Sequence, residues 1–331
     1  MRPRRNRRPC REGALQAGVI PIVVPTPYPV GPVTLYLLEG EPLTLVDTGP
    51  ATRRAWRRLR AKLAERGWTP ADVRRVLITH GHHDHFGLAR RFAELGAEVL
   101  AHPHDRRHLN LDRSYRLRWR HLRRAGLSAA RRAAVILALR LLDRTARSLR
   151  RFRAFEDGEL VRAGSRELRV HHLPGHSPGH VAFEIDGEGT LISGDVLLDG
   201  ITPNAVVDLD PVDANRLYLS INAYATSLDR LESLRPSLLL PAHGRCLRDV
   251  QAQIASVRLH QERRSRQVAA ALRDGPATTA AIVESLFPNV TLLGTFLAYS
   301  EVLGHLLELE RRGEAAREDR LGVDLWQPAR A

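Results

Sequence analysis

Four candidate metal ligands lie within a six-residue stretch of this sequence. They are His80, His82, Asp84 and His85, in the run Thr-His-Gly-His-His-Asp-His that begins at position 79. Neutral imidazoles and anionic carboxylates are ligands that suit zinc and neighbouring transition metals. A histidine-rich surface loop would reproduce this spacing only by coincidence, so the stretch is a candidate metal-binding loop.

Three further residues of the same chemical type occur in similar local contexts. His176 lies in a Leu-Pro-Gly-His-Ser-Pro-Gly-His run, Asp195 in Ile-Ser-Gly-Asp, and His243 in Leu-Pro-Ala-His-Gly. Each follows an apolar run typical of a buried strand, with glycine or proline beside it to make a tight turn. We therefore expect four strand-end loops, including the one at 80–85, to converge at one edge of a sheet.

The segments that must position these loops alternate between strand-like and helical patterns, which indicates an α/β domain. Helices are predicted near Arg53–Arg66 and Leu88–Leu95. The predicted strands are Val19–Val24, Val33–Leu38, Leu43–Val46, Val73–Thr79, Glu98–Ala101, Leu168–His172, Val181–Ile185, Thr190–Ile192 and Ser237–Leu240.

The set and order of these motifs resemble the metallo-β-lactamase superfamily, and most closely the hydroxyacylglutathione hydrolase (glyoxalase II) pattern. The resemblance covers about residues 17–248 and implies a four-layer αββα sandwich. Asp47, in the run Leu-Val-Asp-Thr-Gly, matches the family's early aspartate turn, which supports the metal loop without binding metal.

The resemblance also implies a ligand set for two metal ions. One ion would be held by His80, His82 and His176, and the other by Asp84, His85 and His243. Asp195 would bridge the two ions. Zinc is the expected metal, with iron and manganese as alternatives, because histidine and carboxylate ligands accept all three.

Such a site implies hydrolysis by a bridging hydroxide, since two divalent ions lower the pKa of a shared water. Asp84 or Asp195 could accept the proton during attack, and both are candidate catalytic residues. The zinc β-lactamases place a cysteine where this chain has Asp195, which disfavours antibiotic hydrolysis.

Other residues near these motifs are not expected to bind metal. His83 lies inside the loop at a position that the family pattern does not use, and His180 could orient a ligand. Cys246 is expected to be a small buried residue, and Cys10 to be inert; two cysteines exclude a disulfide framework. Four histidines that flank strands are expected to be structural or surface residues, namely His102, His104, His171 and His172.

An arginine-rich insertion, at about residues 105–155, carries most of the formal net charge of +14. It contains sixteen arginines and three aspartates, with leucines and alanines at helical spacing. One interpretation is a solvated helical face. The other is a basic lid over the metal site that attracts an anionic substrate.

A second unit is expected from position 249 to 331, after the main domain at 17–248 and a basic tail at 1–16. Helices near Val250–Arg273, Thr278–Leu286 and Thr295–Arg312 precede two short strands, an order typical of a winged helix. This order resembles the winged helix appended to some lactamase-like hydrolases and endoribonucleases.

Three functions remain open on these observations. The first is hydrolysis of a carboxylic ester or thioester, of the acyl-CoA or glutathione-thioester class. The second is a single-strand endoribonuclease or phosphodiesterase that holds RNA on its basic surface. The third is a nucleic-acid-binding or dimerising module with an inactive metal domain.

No run of the sequence predicts a transmembrane helix or a secretory signal. The cytoplasm is therefore the expected compartment, and no membrane partner is expected. The basic insertion suggests a small, anionic substrate, with RNA or a second copy of the chain as further possible partners.

Overall fold

The computed structural model describes residues 19–112, 114–203, 208–213, 216–289 and 292–329. The expected basic tail and Cys10 lie outside the described residues. Within the described ranges the chain forms two large β-sheets, helices on their outer faces, and a smaller C-terminal sheet.

The first large sheet has six strands in sequential order. Strands β1 to β3 pair antiparallel, and β3 to β6 pair parallel. Parallel pairing of β3 with β4 sends both chains out at the same edge, so the loops after them emerge side by side. The strands are β1 Ile20–Val24, β2 Val33–Leu38, β3 Thr44–Val46, β4 Arg75–Leu77, β5 Glu98–Ala101 and β6 Arg153–Ala154.

The second large sheet has five strands in the order β11-β10-β9-β8-β7. Its outer pair, β10 and β11, is parallel, and the remaining pairs are antiparallel. Loops after β10 and β11 therefore also leave at one edge. The strands are β7 Leu160–Ala163, β8 Arg166–His172, β9 Val181–Ile185, β10 Thr190–Gly194 and β11 Leu238–Pro241.

The two sheets pack face to face around an apolar core. Side chains such as Tyr36 and Leu100 of the first sheet meet Val170 and Phe183 of the second, and all four are buried. Backbone and side-chain hydrogen bonds also cross between the sheets, from Val181 N to Thr79 O (2.8 Å) and from Tyr36 Oη to Pro241 O (2.7 Å). These contacts fix one sheet edge against the other.

Helices cover the outer face of each sheet. The helix α1, Arg53–Ala64, begins at the N-cap Thr52 and buries Leu59 and Leu63 against the first sheet. Helices α7, Ser220–Leu234, and α8, Val250–Ala270, cover the second sheet. The predicted helix–sheet–sheet–helix order is confirmed. The short helices α2, α3 and α4 are His83–Phe86, Ala89–Glu94 and Arg106–Leu109.

The arginine-rich insertion forms two longer helices, α5 Tyr115–Arg124 and α6 Ala129–Asp143, before it enters strand β6. Their apolar sides are buried, and Leu122 and Ile136 belong to the same core cluster as residues of the C-terminal unit. The insertion therefore packs on the C-terminal unit, and Arg124 and Arg131 pair with Asp324 and Glu284 of that unit.

The C-terminal unit contains α8 and two further helices, α9 Thr279–Leu286 and α10 Leu292–Arg311. The unit also has a three-stranded sheet in the order β12-β14-β13. Strand β12, Ala277–Thr278, lies between α8 and α9, and β13 Ala315–Arg320 and β14 Val323–Pro328 follow α10. The helices and the terminal hairpin are those expected from the sequence, and the assignment as a winged helix stays a prediction. Among the described residues, every helix is too short or too polar to cross a bilayer.

Candidate metal centre

The seven candidate ligands lie at one edge of the two sheets. The loop after β4 carries His80 and His82, and the short helix α2 that follows it carries Asp84 and His85. The loop between β8 and β9 carries His176, Asp195 directly follows β10, and His243 lies just after β11. Because the strands end together at this edge, the side chains converge from four separate parts of the sequence. All seven belong to three overlapping groups, and within each group the potential ligand atoms lie within 4.8 Å of one another.

His80, His82 and His176 form the first group. His80 Nε2 lies 3.0 Å from His82 Nδ1, and the His82 and His176 rings are 4.5 Å apart between centroids. One ring nitrogen of each histidine lies within 4.8 Å of the others, as expected of a three-histidine metal site. Burial, and then the neighbouring imidazoles, lower the pKa of His80 well below its ordinary value, which keeps its ring neutral.

Asp84, His85 and His243 form the second group. Asp84 Oδ2 lies 3.4 Å from His243 Nε2, and Asp84 Oδ1 lies 3.8 Å from His85 Nε2. Burial opposes ionisation of Asp84, but the two imidazoles outweigh burial and hold its pKa well below the ordinary value. The carboxylate is therefore anionic at neutral pH.

Asp195 lies between the two groups. Its Oδ2 is 3.6 Å from His176 Nε2, 3.6 Å from His85 Nε2 and 3.8 Å from His243 Nε2. Burial again opposes ionisation, and His243 and His85 outweigh it to hold the pKa of Asp195 well below its ordinary value. One carboxylate thus faces histidines of both groups.

The donor atoms of this centre fit divalent metal ions. The Nε2 atoms of His85 and His243 and Oδ1 of Asp195 are buried, and among the described residues none of these three atoms has a hydrogen-bond partner. Buried polar atoms without partners are costly unless another group satisfies them. An array of such atoms that converges on one space is what bound cations would satisfy.

Asp47 hydrogen-bonds to His85 through the ring nitrogen that is not directed at the metal centre. Its Oδ2 accepts hydrogen bonds from His85 Nδ1 (2.8 Å) and Thr79 Oγ1 (2.8 Å), and its Oδ1 accepts one from Thr79 N (2.9 Å). A carboxylate on the far nitrogen sets the tautomer that directs the lone pair of Nε2 toward a metal. Asp47 adopts a left-handed backbone conformation (φ 58°), which aspartate tolerates better than most residues.

His180 positions the backbone of Asp195. Its Nε2 accepts a hydrogen bond from the backbone N–H of Asp195 (3.0 Å). Gly194 makes this approach possible, because a Cβ there would lie 2.9 Å from His180 Nε2 and 3.0 Å from Thr79 Cβ. Gly194 also has a left-handed backbone (φ 52°), so both the lack of space for a side chain and the backbone conformation favour glycine at this position.

Asp105 is a central residue of the centre that the sequence analysis did not identify. Its carboxylate is buried and accepts hydrogen bonds from Gly81 N (2.6 Å), Ser177 Oγ (2.8 Å) and Gly179 N (2.8 Å). One side chain therefore joins the loop of His80 and His82 to the loop of His176. Its position shortly after strand β5 was the available signal, since the other candidates also follow strands.

A buried polar chain extends from Asp105 to Arg118 in helix α5 of the insertion. His108 lies between Asp105 and Asp208, and Arg118 Nη2 donates to Asp208 Oδ1 (2.7 Å). Burial opposes protonation of His108, but Asp208 and Asp105 outweigh it and raise its pKa to about 9. Nearby, the buried Tyr218 Oη has no hydrogen-bond partner among the described residues.

The other residues singled out in the sequence lie outside the convergent set. His83 Nε2 lies 3.2 Å from Asp143 Oδ1, and His171 Nε2 lies 2.9 Å from Glu184 Oε2 on the neighbouring strand. Cys246 is partly buried and packs against the apolar core between the sheets.

Comparison with known families gives a match over residues 28–243 to the model described as the metallo-beta-lactamase superfamily. A Bacillus subtilis (strain 168) protein described as a probable metallo-hydrolase is 30% identical over 88% of this chain and 92% of its own length. An Aspergillus fumigatus atrochrysone carboxyl ACP thioesterase is 26% identical over 78% of this chain and 68% of its own length.

Two solved structures match nearly the whole chain. A metallo-beta-lactamase family protein from Thermus thermophilus has a TM-score of 0.82 and 31% identity, over 95% of this chain and 100% of that one. A beta-lactamase domain protein from Burkholderia ambifaria has a TM-score of 0.81 and 29% identity, over 94% and 92%. The similarity therefore includes the insertion and the C-terminal unit.

Proposed function

This chain belongs to the metallo-beta-lactamase superfamily, and from that membership we propose that it is a binuclear metal-dependent hydrolase of carboxylic esters or thioesters. The coarser description, a metallo-hydrolase of this superfamily, follows from the family match and the relatives. The number of ions, the bond and the substrate class are the proposal.

The position of Asp195 is the observation that carries the proposal. One of its oxygens lies within 3.6–3.8 Å of the Nε2 atoms of His176, His85 and His243, which belong to two ligand groups. A carboxylate that is anionic and shared in this way can neutralise two cations at once. Asp195 is therefore the expected bridging ligand.

Two divalent cations held by the seven ligands would supply a Lewis acid and a water of lowered pKa. This chain's own residues supply the remaining requirements. Asp47 orients His85, and Asp105 joins the two histidine loops. Asp84 and Asp195 are held in the anionic form by the surrounding imidazoles, and we propose that one of these carboxylates accepts the proton of the attacking water.

A thioester is the substrate class that the relatives favour within this proposal. Several relatives are named atrochrysone carboxyl ACP thioesterases, and one of them aligns over 78% of this chain. Thioester hydrolysis needs an activated water and a polarised carbonyl, and no nucleophilic side chain. Zinc is the metal that we propose, with iron and manganese as alternatives, since the donors are imidazoles and carboxylates.

The exposed arginines of the insertion support an alternative, a single-strand endoribonuclease. Arg116, Arg120, Arg140 and Arg144 are exposed, and Trp119 is 37% exposed. Exposed cationic side chains can contact phosphates, and an exposed aromatic ring can stack on a base, so this surface is suited to a single-stranded nucleic acid. The same surface is equally suited to an anionic thioester substrate.

The test is a substrate panel on purified protein whose metal content has been measured by plasma mass spectrometry. The panel contains acyl-CoA thioesters, a glutathione thioester, carboxylic esters, a phosphodiester and unstructured RNA. We expect at least two metal ions per chain and turnover of a thioester or ester that a chelator abolishes. RNA cleavage without thioesterase activity would support the alternative instead.

Two aspartate variants, one test and one control, examine the proposed mechanism. Asp195→Asn is expected to lower kcat by about 100-fold or more, since it removes the shared anionic ligand. Asp229→Asn is the matched control, because Asp229 is an exposed helical residue that pairs with Arg258. Undiminished turnover in Asp195→Asn would contradict the binuclear mechanism for every substrate.

A further inference from the structure

A second cluster of histidines lies beside the candidate metal centre and is not part of it. His102 follows strand β5, His104 lies in the single-turn helix Pro103–Asp105, and His172 ends strand β8. One ring nitrogen from each lies within 4.8 Å of the others. Because β5 and β8 belong to different sheets, the cluster spans the contact between the two sheets.

The three imidazoles pack on one another. The His102 and His172 rings are stacked, with centroids 3.9 Å apart and planes at 12°. The His104 ring stands nearly perpendicular to His102, with centroids 4.8 Å apart. His102 is buried, His172 is partly buried and His104 is exposed, so solvent reaches the cluster from the side of His104.

The hydrogen bonds of His172 leave one ring nitrogen available. His172 Nε2 lies 2.9 Å from the carbonyl oxygen of Pro178 and donates to it, which leaves the lone pair on Nδ1. A histidine that donates its far N–H to a carbonyl is the usual arrangement of a metal ligand. His102 Nδ1 accepts a long hydrogen bond of 3.3 Å from His104 N.

Two of the three rings are neutral at neutral pH. Burial, and then the nearby His172 and His104 rings, lower the pKa of His102 to about 3. Burial also lowers the pKa of His172. Imidazole binds a metal only in its neutral form, so protons do not compete for these two ligands at physiological pH.

We propose that His102, His104 and His172 form a third metal site, separate from the binuclear centre and suited to Zn²⁺ or Co²⁺. Three imidazoles without a carboxylate favour such borderline cations over Mg²⁺ and Ca²⁺, which prefer oxygen ligands. The exposed side of His104 provides an entry path and leaves the fourth position of a tetrahedral site to water.

Binding requires a small local rearrangement. Nitrogens that share one tetrahedral zinc ion lie about 3.4 Å apart, given zinc–nitrogen distances of about 2.1 Å. The lone pairs lie in the ring planes, so one of the two stacked rings must tilt for both to face the same ion. The exposed His104 can rotate to meet them.

A metal at this site would act on the loop that carries His176. His172 bonds to Pro178 in that loop, and Asp105, next to His104, bonds to Ser177 and Gly179. An ion that joins His102, His104 and His172 therefore fastens the loop to strand β5. We infer a stabilising role, because each ligand belongs to an element that already holds the loop.

The experiment measures the zinc content of full-length protein after equilibrium dialysis at micromolar free zinc. We expect about three ions per chain in the natural protein and about two in His104→Ala, whose exposed side chain can be removed without affecting the core. His260→Ala, which removes a partly exposed histidine on α8, is the control and should retain three. Thermal unfolding with and without excess zinc should show a larger rise in Tm for the natural protein than for His104→Ala.

Equal zinc content in the natural protein and His104→Ala, at either two or three ions, would overturn the proposal. Anomalous diffraction at the zinc edge provides an independent measurement, with a peak expected among the three rings. None of these readouts depends on enzymatic activity, so the third site is tested separately from the proposed hydrolase function.

Discussion

The carboxylate of Asp105 accepts a 2.6 Å hydrogen bond from the backbone N–H of Gly81, between two candidate metal ligands. The same carboxylate accepts from Ser177 and Gly179, which lie beside the ligand His176 across the sheet edge. The geometry of the three-histidine group therefore depends on a residue that does not belong to it.

Asp105→Asn should weaken the first metal group without unfolding the chain. The amide retains the shape of the side chain, but its NH2 group faces backbone N–H groups that also donate. Each buried donor that loses its acceptor costs about 1–3 kcal/mol. We expect metal affinity or activity to fall by about 10- to 100-fold. Metal titration and kcat/KM measure this effect, with the exposed Asp112→Asn as the control; equal losses in both variants would contradict the positioning role.

Asp47→Asn should weaken the second metal group. Asparagine tolerates the left-handed backbone of Asp47 as well as aspartate does, so the substitution removes the charge without new strain. We expect about a 10- to 100-fold loss of metal affinity, since His85 Nδ1 loses an anionic partner. Metal release followed with a chromophoric chelator tests this expectation, and release as slow as in the unsubstituted protein would refute it.

Acid should destabilise the contact between the insertion and the C-terminal unit. Burial, and then Arg120 and Arg124, lower the pKa of His121 from 6.5 to about 4. Because this pKa is depressed in the folded state, the neutral ring stabilises the fold above pH 6.5, and that contribution is lost as the pH falls toward 4. Tm should therefore fall over this window, and less steeply in His121→Gln, which cannot be protonated. Identical pH profiles for the two proteins would contradict the prediction.

Trp326→Ala should destabilise the C-terminal unit strongly. The ring is fully buried, and its Nε1 donates to Thr279 Oγ1 (3.2 Å). Removal of a buried tryptophan costs about 3–5 kcal/mol of unfolding free energy. The partly exposed Trp119→Ala should cost less than about 1 kcal/mol. Denaturant titrations compare the two variants, and similar midpoints would exclude the burial argument.

Because the insertion shares this core, the same experiment tests whether the two segments unfold together. Leu122 and Ile136 of the insertion lie in one cluster with Val302 and Trp326. A single transition in Trp326→Ala, followed by both tryptophan fluorescence and circular dichroism, is the expected result. Two separated transitions would indicate that the insertion folds independently of the C-terminal unit.

The candidate ligands could be recognised in the sequence because their signals are local. A ligand residue, a preceding apolar run and an adjacent glycine or proline are all encoded within a few positions, at 80–85, 176, 195 and 243. Parallel pairing of strands then brings such loops to one edge, so their convergence could also be expected. The same periodicity predicted most strands and the helical character of the insertion.

The roles of Asp105 and of the insertion could not be predicted in this way. Asp105 acts through atoms of Gly81 and Ser177, which are distant in sequence, and no local pattern records which N–H groups a buried carboxylate will meet. Helical spacing in the insertion marks Leu122 and Ile136 as apolar positions but does not identify what covers them. Residue types and spacing thus determined the chemistry available to this protein. Only the tertiary structure decided which groups share a core or a hydrogen bond, because those contacts depend on how distant segments pack.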